Sequence, residues 1–210
     1  MELHDDTRVR AAWANTDPLL RGYYDTEWGM PVRDETGVFE RLTLEAFQAG
    51  LSWLTILRRR EAFREAFAGF EVNRVADFDD TRVEALMADT GIIRNRRKIE
   101  AAVTNARAAQ QLRASGAGLA EFVWSFQPER SPAPETDAEV PSTAPEAAEL
   151  ARALKRHGFS FVGPTMAYAL MTAIGIVDVH LVTSHRRGCS GLWLADGSRA
   201  PAAGTAGSQR

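Results

Sequence analysis

Gly158-Phe159-Ser160-Phe161-Val162-Gly163-Pro164-Thr165 interrupts a run of helical periodicity and decides the fold. Before it, Glu146 to His157 reads as one helix; after it, Thr165, Met166, Tyr168, Leu170 and Met171 carry a second helix to Gly175. The glycines permit a tight turn, Phe159, Phe161 and Val162 can anchor it to a core, and Pro164 suits a first helical position. The result is a helical hairpin over about residues 146–175. Free amides at the start of its second helix, with the positive dipole end behind them, can bind phosphate without any cationic side chain. Phe161, Val162, Gly163 and Thr165 are therefore candidate contacts to a phosphate backbone. Taken alone, the same octapeptide also suits an ordinary helical hairpin.

Outward from the hairpin, apolar residues recur at helical spacing almost throughout, and no stretch alternates as a strand would. The fold class is all-α, with helices gathered in one domain over residues 1–199, in one or two lobes. Asp34 caps a helix carrying Val38, Phe39, Leu42, Leu44, Glu45 and Phe47 that Gly50 ends; Ser52 starts another through Leu54, Ile56, Leu57, Phe63 and Phe67. A short helix after Asn73, one from Asp80 to Ala88, a long one from Asn95 to about Arg113 and a short aromatic one over Leu119 to Phe126 follow. Gln127 to Pro145 reads as an exposed connection, and residues 200–210 as a disordered tail.

Bulk properties narrow the function. No apolar run approaches the roughly 20 residues a bilayer span requires, and the first ten residues lack the apolar stretch of a signal peptide. The expectation is a cytoplasmic protein without membrane contact. Cys189, the only cysteine, excludes an internal disulfide and any four-cysteine site built within one chain. A formal charge of −3 argues against binding nucleic acid by bulk positive charge. Cations nevertheless cluster at Arg58-Arg59-Arg60, at Arg94 with Arg96-Arg97-Lys98, at Lys155-Arg156-His157 and at His185-Arg186-Arg187, where they equally suit helix ends.

Two segments carry a sharper signal. Trp13-Ala14-Asn15-Thr16-Asp17-Pro18-Leu19 with Tyr23-Tyr24-Asp25-Thr26-Glu27-Trp28-Gly29, and Glu45-Ala46-Phe47-Gln48-Ala49-Gly50-Leu51-Ser52-Trp53, resemble successive blocks of the 3-methyladenine DNA glycosylase I family. Gly91-Ile92-Ile93-Arg94-Asn95-Arg96-Arg97-Lys98-Ile99, Phe122-Val123-Trp124-Ser125-Phe126, Pro141-Ser142-Thr143 and the hairpin continue the match in order, from about Trp13 to His180. The resemblance implies a helix-hairpin-helix glycosylase that flips an alkylated purine from double-stranded DNA and hydrolyses its glycosidic bond, acting as a monomer in base excision repair. It implies that Glu45 recognises the base and that Trp13, Tyr23 and Trp53 shape the pocket, with Trp28 structural. The place of a lyase lysine holds Thr165 or Met166, so a monofunctional enzyme is expected.

The sequence also departs from that family. The family's structural zinc is bound by two Cys and two His; the matching positions read Ala11, Tyr24, His180 and Ser184, so only His180 is kept and no metal or other cofactor is expected. Asp178 stands where the family usually has Asn, and a carboxylate there could stabilise the sugar cation and orient water, which makes Asp178 a second catalytic candidate beside Glu45. Its other reading is a local helix-end cap. Leu20 replaces a common Tyr and could widen the lesion range. Two alternatives stand beside the enzyme: a helix-hairpin-helix DNA-binding protein with altered or lost turnover, and an α-helical interaction protein whose aromatics are simply core.

Overall fold

The protein's structure, a computed structural model, describes residues 7–201, and the expected tail beyond Pro201 lies outside them. Ten α-helices follow in order: α1 (Pro18–Thr26), α2 (Glu35–Gln48), α3 (Trp53–Leu57), α4 (Arg60–Ala66), α5 (Val72–Ala76), α6 (Asp80–Ala88), α7 (Arg96–Ala114), α8 (Leu119–Trp124), α9 (Pro145–Arg156) and α10 (Pro164–Ala173). Among the described residues there is no strand, only an isolated bridge between Trp193 and Arg199.

Local chemistry sets most helix starts. The carboxylates of Asp17, Asp34 and Asp79, the hydroxyl of Ser52 and the side-chain carbonyl of Asn95 accept from first-turn amides of α1, α2, α6, α3 and α7, satisfying donors that the helix itself leaves free. One principal core runs from Val38 to Val179, with Phe39, Phe47, Phe63, Phe67 and Phe70 packed ring on ring. α2 lies within it: Val38, Phe39, Arg41 and every residue from Leu42 to Phe47 is buried, Glu45 included.

Two expectations need correction, and two segments for which none was stated are folded. The helix expected from Ser52 to Phe67 is two helices, because Arg59 leaves helical geometry at φ −107° and ψ 2°. That break aims Arg58 at Asp17 (2.8 Å) and Arg60 at Glu27 (2.7 and 2.9 Å), tying the segment to α1. The Trp13–Gly29 segment, to which periodicity assigned no helix, folds as α1 behind a 3-10 turn over Ala12–Asn15. The 127–145 connection is strapped down: Ser131 is buried, its hydroxyl donates to the Asp178 carbonyl, and the Val182 amide donates to the Pro134 carbonyl. The Gly- and Ser-rich stretch past Gly188 closes a turn that buries Trp193, whose indole N–H donates to the Ile176 carbonyl.

The hairpin is held at a single point. Gly158 takes φ +85°, Phe159 and Val162 are buried, and the Asn105 side chain pairs with both backbone groups of Ser160 (3.1 and 2.7 Å). Asn105 thus supplies, from α7, the hydrogen bonds that the loop cannot make to itself. α10 then packs on α9 on one side and on α2 on the other, which sets the hairpin beside Glu45.

Candidate functional site

Residues from five elements converge on a cavity of about 490 Å³ lined by Trp13, Thr16, Leu20, Tyr23, Trp28, Glu45, Gln48, Ser52, Trp53, Leu54, Ala169 and Thr172. The Gly50 turn, at φ +82°, folds α3 back against α2 so that Glu45 and Trp53 face one space. Tyr23 and Trp53 lie with ring centroids 5.4 Å apart, and Trp13 meets Trp28 edge-on at 5.4 Å. Ala169 and Thr172, three apart on one face of α10, close the far side with small side chains.

The wall carries polar groups with nothing to bond. The Tyr23 hydroxyl and the Trp53 indole N–H are buried without a hydrogen-bond partner, and no hydrogen bond reaches the Glu45 carboxyl among the described residues. A buried donor left unpaired costs about 1–3 kcal/mol, so two such donors beside a carboxyl around one cavity describe a site shaped for a polar, flat guest. Burial pushes the Glu45 carboxyl up to about 8, against the lowering influence of Arg41. Burial likewise pushes the Tyr23 phenol far up, so it stays a donor.

A second cavity of about 730 Å³ adjoins the first and shares Glu45, Gln48 and Ala169 with it. Its sides are the turn from Gln48 to Leu51 and the hairpin from Phe161 to Met166, with Lys155 at the rim. Phe161 and Leu51 stand exposed there, Phe161 at φ +55° with the Arg97 guanidinium 5.7 Å from its ring. Gly163 caps α10 without any side-chain acceptor and Pro164 follows, so the first-turn amides carry no side-chain cap. All four hairpin candidates, Phe161, Val162, Gly163 and Thr165, line this cleft, and the largely buried Val162 also anchors the loop to the core.

The structure brings Trp13, Tyr23, Glu45 and Trp53 together and does not bring Asp178 to them. Asp178 lines neither cavity; it is 3% exposed, with one oxygen accepting from the His180 amide (2.9 Å) and pairing with His180 Nδ1 (2.7 Å), and the other accepting from the Gly188 amide (2.8 Å). Arg187 Nη1 lies 3.5 Å away. Burial would raise this carboxyl, but the His180 and Gly188 hydrogen bonds outweigh it and hold it low. The residue thus ties the segment after α10 to the turn at Gly188. Trp28, expected to be structural, both lines the cavity and packs against Trp13, Tyr24 and His180. Gln48, Leu54, Ala169 and Thr172 were not singled out by sequence, although Gln48 lies three residues from Glu45 and so on its helix face.

The residues at the expected zinc positions do not fit a zinc ion. Ala11 offers no donor, the Tyr24 and Ser184 hydroxyls bond each other at 2.8 Å, and His180 has given Nδ1 to Asp178. Among the described residues no group of three or more His, Cys, Asp or Glu could hold a metal. In place of a metal, Arg10 grips Asp25 with two bonds of 2.7 Å, and His185 reaches both Asp25 (3.2 Å) and the Val9 carbonyl (3.0 Å).

Residues 13–187 match the model of the methyladenine glycosylase family. The chain is 44% identical to DNA-3-methyladenine glycosylase 1 of Escherichia coli (strain K12) over 176 residues, which are 82% of this chain and 94% of that protein. A crystal structure of 3-methyladenine DNA glycosylase I superposes with a TM-score of 0.81 at 41% identity, covering 84% of this chain and 98% of the other. The Staphylococcus aureus 3-methyladenine DNA glycosylase I, whose structure addresses 3-methyladenine recognition, superposes with a TM-score of 0.78 at 33% identity over 82% and 93% of the two chains. No helix among the described residues is long and apolar enough to cross a membrane.

Proposed function

Because the chain belongs to the methyladenine glycosylase family, we propose that it is a monofunctional DNA glycosylase that releases 3-methyladenine from DNA by hydrolysing the N-glycosidic bond. One observation carries the assignment of the site: a buried carboxyl, an unpaired phenol and an unpaired indole N–H edge one aromatic cavity of about 490 Å³. Methylation at N3 makes the base cationic while it is attached to the sugar, and it departs as a neutral purine. The enzyme therefore has no need to protonate the leaving group. It must extrude the nucleotide, hold the base and let water reach the sugar carbon as the bond breaks.

In this reading Trp13, Tyr23 and Trp53 supply the aromatic walls and Glu45 the charge that favours a cationic purine over neutral adenine. A cation beside Glu45 draws its carboxyl back toward the ionised form, so binding and ionisation reinforce each other. The outer cleft receives the sugar-phosphate strand: the uncapped α10 start offers amides, Lys155 a charge, and Phe161, Gly163 and Thr165 the contact surface. The start of α10 holds Thr165 and Met166, so no amine there can form a Schiff base with the sugar. The substrate in this reading is double-stranded DNA, the enzyme a single subunit, and its place the cytoplasm. Leu20, lying in the wall with Tyr23 and Leu57, leaves space that admits purines with bulkier alkyl groups.

The test is release of bases from methylated duplex DNA, resolved by chromatography, by wild type, Glu45→Ala and Asp178→Asn. Wild type releases 3-methyladenine, Glu45→Ala does not, and Asp178→Asn does. Salt-dependent duplex binding without any release would favour the DNA-binding protein that has lost turnover. Release confined to 3-methyladenine across a panel of N3- and N7-alkylated purines would remove the broadened range.

A further inference from the structure

Arg41 is buried at 9% exposure one helical turn before Glu45 on α2, and it lines neither cavity. Its Nη2 donates to Glu27 Oε2 at 2.9 Å, but Arg60 already grips both oxygens of that carboxylate at 2.7 and 2.9 Å. Its Nη1 is buried and makes no hydrogen bond; Glu40 Oε1 lies 3.7 Å away and is held by Arg64 at 2.8 Å. The guanidinium carbon sits 5.8 Å from the Tyr23 ring centroid. Glu61 also accepts from Arg64 at 2.7 Å, so three carboxylates serve three guanidinia, yet Arg41 Nη1 stays buried without a hydrogen bond just behind the pocket wall. A buried guanidinium nitrogen left without a partner is costly unless something uses its field.

We infer that Arg41 is a positioning residue: from behind the Tyr23 wall its charge favours the carboxylate form of Glu45, and so sets the pH range in which a cationic purine is recognised. The inference rests on the reading of Glu45 as the base-recognising group. Other elements around Glu45 bring two further cations, Lys98 on α7 and Lys155 on α9 across the outer cavity that Glu45 also lines. α3 presents Trp53 and α10 presents Ala169 and Thr172, none of which titrates in the working range. α1 presents Tyr23, kept protonated by burial. α7 presents Lys98, whose ammonium is bonded to the Phe47 and Ala49 carbonyls at 2.7 and 2.6 Å. Arg41 is the charged group whose field opposes the effect of burial on Glu45.

The experiment is single-turnover release of 3-methyladenine between pH 5 and 9 by wild type, Arg41→Met, Arg41→Gln, Arg41→Lys and Glu45→Gln, with the melting temperature of each. Removing the cation raises the Glu45 carboxyl further. The acid limb of the profile then moves to higher pH by about one pH unit in Arg41→Met and Arg41→Gln, a loss of about tenfold at neutral pH that is recovered at pH 9. Arg41→Lys, which keeps the charge, stays close to wild type. Equal loss at every pH with the limb unmoved would overturn the inference and leave Arg41 a packing residue. Should both neutral variants fail to fold, the carboxyl resonance of Glu45 is titrated in wild type and Arg41→Lys, and a midpoint raised by a full pH unit in Arg41→Lys, despite the retained charge, would overturn it equally. A Glu45→Gln profile that keeps the wild-type acid limb would instead sink the assignment of Glu45, whatever the Arg41 variants do.

Discussion

A carboxyl pushed up to about 8 by burial lowers stability whenever it is ionised, and stability therefore depends on pH with a definite sign. In the unfolded chain Glu45 titrates near its ordinary 4.5, so between there and about 8 the folded state binds the extra proton. Its contribution is fully present below 4.5 and is lost as pH rises through 8. A tenfold change in an acid's ionisation constant on folding corresponds to about 1.4 kcal/mol, so Glu45→Gln should raise stability by a few kcal/mol at pH 9 and little at pH 4. Denaturant melts of both proteins across that window check it, and parallel curves would mean Glu45 is solvated. Asp178 predicts a different pattern. Both its oxygens are occupied, so Asp178→Asn turns an acceptor into a donor facing His180 or the Gly188 amide, and should cost about 3 kcal/mol. Base release below the variant's melting range should stay within about threefold of wild type if the residue makes no contact with the reacting atoms. Loss of release by orders of magnitude at unchanged stability would return Asp178 to the chemistry.

At the scale of elements, the hairpin's dependence on Asn105 separates strand binding from base binding. Asn105→Ala leaves both backbone groups of Ser160 without their partners, at about 1–3 kcal/mol. The hairpin's turn, from Phe161 to Met166, lines the outer cleft and not the inner cavity. Duplex affinity should therefore fall severalfold while affinity for free 3-methyladenine, followed by tryptophan fluorescence, is unchanged; a matched fall in both would show that the cavity itself had shifted. Most elements were legible because their signals are local: Asp34, Ser52 and Asn95 at caps, Gly50 and Gly158 at positive φ, and apolar spacing between. The break at Arg59 was not, since the carboxylate that Arg60 reaches across it, Glu27, lies 33 positions before Arg60 in the chain. The burial of Trp193 was hidden for the same reason: its hydrogen-bond partner, the Ile176 carbonyl, is distant in the chain, and the short Leu192-Trp193-Leu194 run sits among glycines and serines without helical spacing. In the site, residues with a chemical signature could be named from sequence, whereas Ala169, Thr172 and Leu54 matter by the shape they leave, which only packing reveals.

For the molecule as a whole, the question is what joins its two ends. Val9 to Ala12 meet Ser184 and His185 through the Arg10–Asp25–His185 contacts, and α1 meets Ser184 through the Tyr24 hydroxyl. Around that bond Tyr24 stacks on Trp28 at 5.5 Å and meets the His180 ring edge-on at 5.1 Å. Gly29, at φ +80°, leaves room for the same imidazole: a Cβ there would fall 2.5 Å from His180 Cε1. The tether is therefore made of packed rings and hydrogen bonds between buried groups, and no ion is required to close it. Exhaustive chelation should change neither melting temperature nor base release, and purified protein should carry no stoichiometric zinc by elemental analysis. Tyr24→Phe leaves the Ser184 hydroxyl with the Arg186 amide alone, and Ser184→Ala takes the Ser184 partner from the Tyr24 hydroxyl, each at about 1–2 kcal/mol or roughly 3–6 °C. Removing both partners leaves no hydroxyl unpaired, so the double variant should melt above the sum of the two losses, whereas strict additivity would show that the bond contributes nothing. A fall in melting temperature on chelation would place a metal in the tether after all.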